Sequence, residues 1–242
     1  MKYLDLTFAE PARNLACDEA LLEACEDESH ESIDGGLLRV WQPENYFVVL
    51  GHSNRAAAEA NAAACAAAKI PVLRRASGGG AVVLGPGCVN YSLILDCRAH
   101  PINNIVTAFH YVLERHRHLI ETLTGRDVSI GGVSDLTIGG RKFSGNAQYR
   151  KSRYVLVHGT FLVDFELAVM ERCLLLPLKQ PEYRDRRVHL EFVGNLGLAA
   201  RQLLSGLREV WRADVKYGAV PLSRVAVLAR QRYERADWTN KF

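Results

Sequence analysis

The residues best suited to chemistry begin at Arg74–Val83, which reads RRASGGGAVV. Three consecutive glycines free the backbone for positive φ and for close approach to a ligand, so their N–H groups can converge on a carbonyl or phosphate oxygen. Arg74 and Arg75 add permanent cations that can grip such oxygens in a bidentate way. A tight hairpin flanked by two solvated arginines is the other reading of the same residues. The segment is not a P-loop, because no GK[ST] follows, and it does not open a helix as a dinucleotide-binding GxGxxG does.

A second stretch, Gly131–Gln148, reads GGVSDLTIGGRKFSGNAQ. Asp135 and Lys142 each fall at a strand end beside glycines, where a side chain can project into a cleft. A lysine there could neutralise charge developing on a transferring acyl or phosphoryl oxygen; taken singly, Lys142 also reads as an ordinary solvated charge. His158-Gly159-Thr160 lies in the middle of the apolar run VLVHGTFLV. Its histidine is either a satisfied core residue or part of a site. His116-Arg117-His118 reads as a solvated helix face, since neighbouring helical positions point in different directions.

These residues must be held by regular elements. Apolar spacing predicts an amphipathic helix over Asn14–Glu26. Leu37–Trp41 and Tyr46–Leu50 read as strands joined by the turn composition Gln42–Asn45. Ala56–Ala68 is built of the best helix former and predicts one helix. Ile70–Leu73, Ala81–Leu84 and Val89–Leu95 read as strands, the last two separated by Gly85-Pro86-Gly87, so the glycine loop is clamped between strands. Ile105–Thr122 predicts a long helix; Leu136–Ile138, Arg141–Phe143 and Tyr154–Val163 alternate with turn glycines as strands. From Leu167 the chain turns helical again, through Leu196–Leu207. Helices interleaved with hairpins argue for an α+β fold, a mixed and largely antiparallel sheet flanked by helices, in a single domain over residues 1–242.

Composition bounds the partners. A net charge of +3 from 30 basic and 27 acidic residues is not that of a duplex binder. Lys151, Arg153, Arg184, Arg186 and Arg187 lack regularly spaced aromatic partners and are matched by nearby acids, so no nucleic-acid role is expected. The six cysteines show neither CxxC nor metal-ligand spacing, which suits a reducing cytoplasm. No apolar run approaches the roughly 20 residues of a spanning helix, and no membrane role is expected.

In this order and spacing, NLACDEALL, RRASGGGAV, GVSDLTIGGRKFSGNAQ and HGTFLVD, spread over most of residues 14–164, resemble the lipoate–protein ligase and octanoyltransferase family, whose catalytic domain is related to that of biotin ligases. The tail LARQRYERADWTN resembles the aromatic-rich end of the family's ligases. The resemblance implies the biotin/lipoate ligase catalytic-domain fold. It places Arg75 and the loop Ser77, Gly78, Gly79, Gly80 against an acyl carbonyl and phosphate, and makes Lys142 the lysine that contacts the acyl-adenylate. Asp135 is implied to help place Mg²⁺ or the incoming lysine amine. Ala81, Ser144, Gly145, Asn146, His158, Gly159 and Thr160 are the remaining substrate- or nucleotide-binding candidates, and no metal-ligand set is assigned.

The implied reaction takes lipoate and ATP to lipoyl-adenylate, then passes the lipoyl group to a lysine of an acceptor protein domain. Val83-Leu84-Gly85-Pro86-Gly87 stands where family ligases follow GGGAV with an aromatic residue and a histidine. No room is expected for the small accessory domain of the best-known ligases, so either a separate accessory subunit supplies that function or the chain catalyses only part of the reaction. Two rivals remain: acyl transfer between carrier proteins without ATP, for which Cys88 is the only cysteine in a suggestive loop, and a non-catalytic lipoyl-binding module.

Overall fold

The computed structural model describes residues 1–27, 33, 35–177 and 179–242. β1 (Lys2–Asp5) leads into α1 (Pro11–Glu26), which starts on a proline at its first turn, where a missing N–H does no harm. Almost every α1 residue is buried, Asn14, Asp18 and Glu19 included. The helix is a core element, more deeply sunk than its amphipathic pattern predicts. β2 (Leu37–Trp41) and β3 (Phe47–Leu50) follow, both fully buried.

The alanine-rich stretch is two helices instead of the one predicted: α2 (Ala56–Glu59) and α3 (Ala62–Ala67). Ala60 between them is extended and bridges to Leu174, and the Asn61 side chain accepts from the Ala64 amide at 3.2 Å, capping the second helix. A capping side chain and a tertiary bridge override the propensity of alanine. β4 (Val72–Arg74), β5 (Val82–Leu84) and β6 (Cys88–Asp96) frame the glycine loop as expected.

α4 (Ile105–Thr124) begins with a reciprocal Asn104–Thr107 cap and ends on Gly125 at φ 66°. β7 (Ser129–Gly131), β8 (Asp135–Ile138), β9 (Arg141–Arg150) and β10 (Tyr154–Leu162) form a run of antiparallel strands. β9 runs well past the predicted Phe143, since cross-strand pairing with β10 overrides the weak strand tendency of Gly145 and Asn146. The predicted helical region after Leu167 is α5 (Leu167–Cys173), α6 (His189–Phe192), α7 (Ala200–Val210), a two-residue strand β11 (Val215–Lys216), α8 (Leu222–Leu228) and α9 (Ala236–Thr239). Position 178 of that region lies outside the described residues.

The large sheet has the order β11-β1-β2-β6-β10-β9-β8-β7, parallel at the β11-β1-β2 edge and antiparallel elsewhere; a small sheet, β4-β3-β5, carries the glycine loop. One core joins α1, the small sheet, α5 and α8 to one face of the large sheet. A second joins α4 and α7 to the other face. This is the predicted α+β architecture. The His116-Arg117-His118 expectation needs correction: His116 is fully buried in the second core, where Trp211 donates to its Nε2 at 2.9 Å. Among the described residues no helix is long and apolar enough to cross a membrane.

Candidate active site

The glycine loop, the β8–β9 hairpin, β10 and residues from 170–177 and 179–193 line a cavity of about 310 Å³. Leu15, Trp41, Val49, Val83, Leu162 and Met170 are among its apolar lining, and Glu59, Arg75, Asn90, Asp135, Lys142 and His158 among its polar lining. Arg75, Gly79, Gly80, Ala81, Asp135, Lys142, Ser144, Gly145, Asn146, His158, Gly159 and Thr160 all line it. Ser77 and Gly78 do not.

Lys142 Nζ lies 2.8 Å from Asp135 Oδ1. A bulge between Leu136 and Thr137 shifts the β8–β9 register so that Thr137 faces Lys142 while Asp135 faces Gly145. Tyr183, from a helical turn at Glu182–Arg184, donates its hydroxyl to Asp135 Oδ2 at 2.6 Å. Burial and the Asp135 charge push that phenol well above its usual range, so it stays a donor. Asp135 is thus held on both oxygens, with Lys142 partly open to solvent. Sequence reasoning missed Tyr183: it stands far from both motifs in the chain, in a segment with no pattern to mark it.

Neither arginine meets the expectation of a free, anion-gripping guanidinium. Arg75 is buried and donates to Ser77 Oγ at 3.0 Å and to the carbonyls of Gly78 at 2.5 Å and Gly80 at 3.0 Å. Burial lowers its pKa to about 10, which leaves it a cation at neutral pH. It turns the loop carbonyls inward, and Gly79 reaches φ 91° where a Cβ would meet the guanidinium at 2.8 Å. Arg74 is fully buried against backbone carbonyls.

His158 combines both of its sequence readings. It is nearly buried and also lines the cavity. Ser77 Oγ accepts from Arg75 Nε and hydrogen-bonds His158 Nε2 at 2.6 Å, while His158 Nδ1 lies 3.9 Å from Asp18 Oδ2. Burial pushes His158 down to about 4, with Asp18 opposing and Arg75 reinforcing the shift. Ser77 therefore braces the histidine from behind the cavity wall. Asn146 donates to Ser134 O at 2.7 Å and accepts from Tyr91 at 2.7 Å. Thr160 donates to Asn90 Oδ1 at 2.6 Å. Tyr91 and Asn90, one strand away, carried no sequence signal of a site.

None of the cysteines lines the cavity. Cys88 opens β6 within the first core, and burial pushes its thiol up to about 12, which suits a small buried hydrophobe and not the thioester rival.

Together the sheet, the glycine loop and the lysine–aspartate pair beside a largely apolar cavity define the class: an α+β domain with a ligand-sized pocket. The profile described as "Lipoyl protein ligase A/B catalytic domain" matches residues 10–202, and the chain belongs to that family. It is 34% identical over 166 residues to the "Probable lipoate-protein ligase A" of Mycoplasma pneumoniae, covering 68% of this chain and 46% of that protein, so it spans about half the length of that relative. The fold is shared with a bi-partite lipoate protein ligase from Thermoplasma acidophilum, described with its E2 lipoyl domain, at TM-score 0.81 and 22% identity over 100% of this chain and 96% of that one. It is shared also with a lipoate-protein ligase A bound with ATP, at TM-score 0.79 and 23% identity over 99% and 98%.

Proposed function

We propose that this chain joins lipoate to ATP as lipoyl-adenylate and then passes the lipoyl group to a lysine of an acceptor protein domain. The observation that carries the reading is the Lys142–Asp135 pair, 2.8 Å apart, set between the glycine loop and an apolar cavity. The wall of Leu15, Trp41, Val49 and Met170 suits an eight-carbon chain, at roughly 0.8 kcal/mol per buried methylene. The polar end then receives the carboxylate and the nucleotide. A relative of this family is described with bound ATP, and another with its lipoyl domain.

In the first step a lipoate carboxylate oxygen attacks the α-phosphorus and pyrophosphate leaves. Lys142 meets the charge that spreads over the transferring phosphoryl and acyl oxygens, and the Gly79–Ala81 backbone lines the same cavity. Mg²⁺ fits this donor set: among the described residues there is no cluster of three or more ligating side chains, but Asp135 can supply the one carboxylate that suffices when phosphates complete the shell. When bound, the ion screens the triphosphate. In the second step the acceptor amine attacks the acyl carbon, the bond to the adenylate oxygen breaks and AMP leaves, the proton the amine loses passing to solvent. Residues 1–242 act as one catalytic domain in this reading, with any accessory function supplied by other chain segments or a separate subunit.

The decisive experiment is lipoate-dependent exchange of labelled pyrophosphate into ATP, with and without Mg²⁺. Exchange that needs lipoate and is lost in Lys142→Ala is expected. Absence of exchange in a chain that still moves an acyl group from a carrier thioester would make it an acyltransferase, and lipoate binding with neither activity a binding or delivery module.

A further inference from the structure

Arg74, the neighbour of the cavity-lining Arg75, is fully buried and spends its guanidinium on the tail of the chain. It donates to Thr239 O at 2.6 and 3.0 Å and to Trp238 O at 3.1 Å. The exchange is reciprocal, since the Trp238 indole N–H donates to Arg74 O at 2.9 Å. The remaining donors of Arg74 reach Gly51 O at 2.8 Å and His52 O at 3.0 Å. One side chain therefore ties α9 to the turn after β3.

That turn is the wall on which the glycine loop rests. The His52 amide donates to Ser77 O at 2.8 Å. Gly51 packs so closely that a Cβ there would lie 1.9 Å from Gly79 O. A buried guanidinium whose charge is met by carbonyl dipoles holds those carbonyls firmly, because losing one leaves a desolvated donor unpaired. Above it, Trp238 is covered by Lys241 at 3.8 Å, by Arg232 at 5.1 Å and edge-on by His52 at 5.9 Å, which fixes the indole.

We infer that Arg74, Trp238 and Thr239 are positioning residues of the site: the tail clasps Arg74, Arg74 holds Gly51 and His52, and these set the height of the Ser77–Gly80 loop at the cavity mouth. The inference rests on the reading of that loop as part of the acyl-adenylate site, and the test separates the two.

Trp238→Phe removes the indole N–H and keeps an aromatic ring, and Arg74→Met removes the donors. Leu207→Ala, in the opposite core, serves as a destabilised control. Hydrogen exchange at the His52 amide reports the clasp, and KM against kcat for lipoate in pyrophosphate exchange reports the site. Both tail variants are expected to speed His52 exchange about tenfold relative to amides of α4, and to raise KM about tenfold with kcat less affected, as a misplaced binding element does. Leu207→Ala, at a matched loss of melting temperature, is expected to do neither. Wild-type protection of His52 in both tail variants overturns the clasp. A loosened His52 with unchanged KM upholds the clasp and overturns the loop's role in binding.

Discussion

A Cβ built on Gly145 would lie 2.7 Å from the Nζ of Lys142, and the lysine tip occupies that space while pairing with Asp135. The obstacle is the far end of a flexible side chain, so Gly145→Ala displaces the amine and spares the strand. Gly145 is also at negative φ, so alanine brings no backbone strain. We predict that Gly145→Ala lowers lipoate-dependent exchange by about 10²-fold while thermal melting shifts by only a few degrees. Full activity in this variant would mean that Lys142 need not stand beside Asp135.

Tyr183 and Asp135 offer a second test. Tyr183→Phe removes the donor to Oδ2 and leaves Lys142 in place. Exchange is expected to fall by about tenfold, the worth of one hydrogen bond to a charged group. Asp135→Asn also removes the charge that pairs with Lys142, and a larger fall of about 10²-fold or more is expected. Equal effects from the two variants would show that Asp135 acts only through Tyr183.

Stability should depend on pH through two buried histidines. Burial pushes His116 down to about 3 and His158 down to about 4, whereas both titrate near 6.5 once unfolded. Between those values the unfolded chain binds protons that the folded chain refuses, so stability rises with pH up to about 6.5 and is lost as pH falls towards 4. His116→Gln keeps an acceptor for the Trp211 indole and removes the titration. Melts across this window should show a dependence reduced by about one proton relative to the parent chain. Identical slopes would mean that His116 is protonated in the folded state.

The motifs were legible because their chemistry is local. A triple glycine and the GGRK turn announce their backbone geometry from neighbours in the chain, and the strands around them follow from short β-rich runs bounded by turn residues, so the α+β fold and many of the cavity-lining residues could be read directly. What escaped depends on distant partners. The sequence shows two adjacent arginines, but only the tertiary structure shows that Arg74 faces a tail 164 residues away and that Arg75 faces its own loop. Tyr183 and Tyr91 are ordinary aromatic residues until the fold sets them against Asp135 and Asn146. The helix break at Ala60 was hidden because alanine carries no sign of the bridge to Leu174.

The cysteines provide the test that separates adenylate chemistry from a thioester route. Covalent acyl transfer through sulfur needs a thiolate within reach of the substrate. Burial pushes Cys17 and Cys65 up to about 11 and Cys25 and Cys88 up to about 12, and Cys173 is wholly buried. Cys97 is the most accessible, but it stands beside Arg150 at the far end of β6 and does not line the cavity. We therefore predict that Cys88→Ala retains exchange and lysine lipoylation within about threefold, with a loss of stability of about 1 kcal/mol from the small cavity left behind. Iodoacetamide at about pH 8 should leave the folded enzyme active, because the thiol of Cys88 is neither ionised nor accessible. Mass spectrometry of the treated protein would locate any label. Inactivation that tracks labelling of Cys88, or an acyl adduct trapped on it, would replace the adenylate with a thioester as the intermediate.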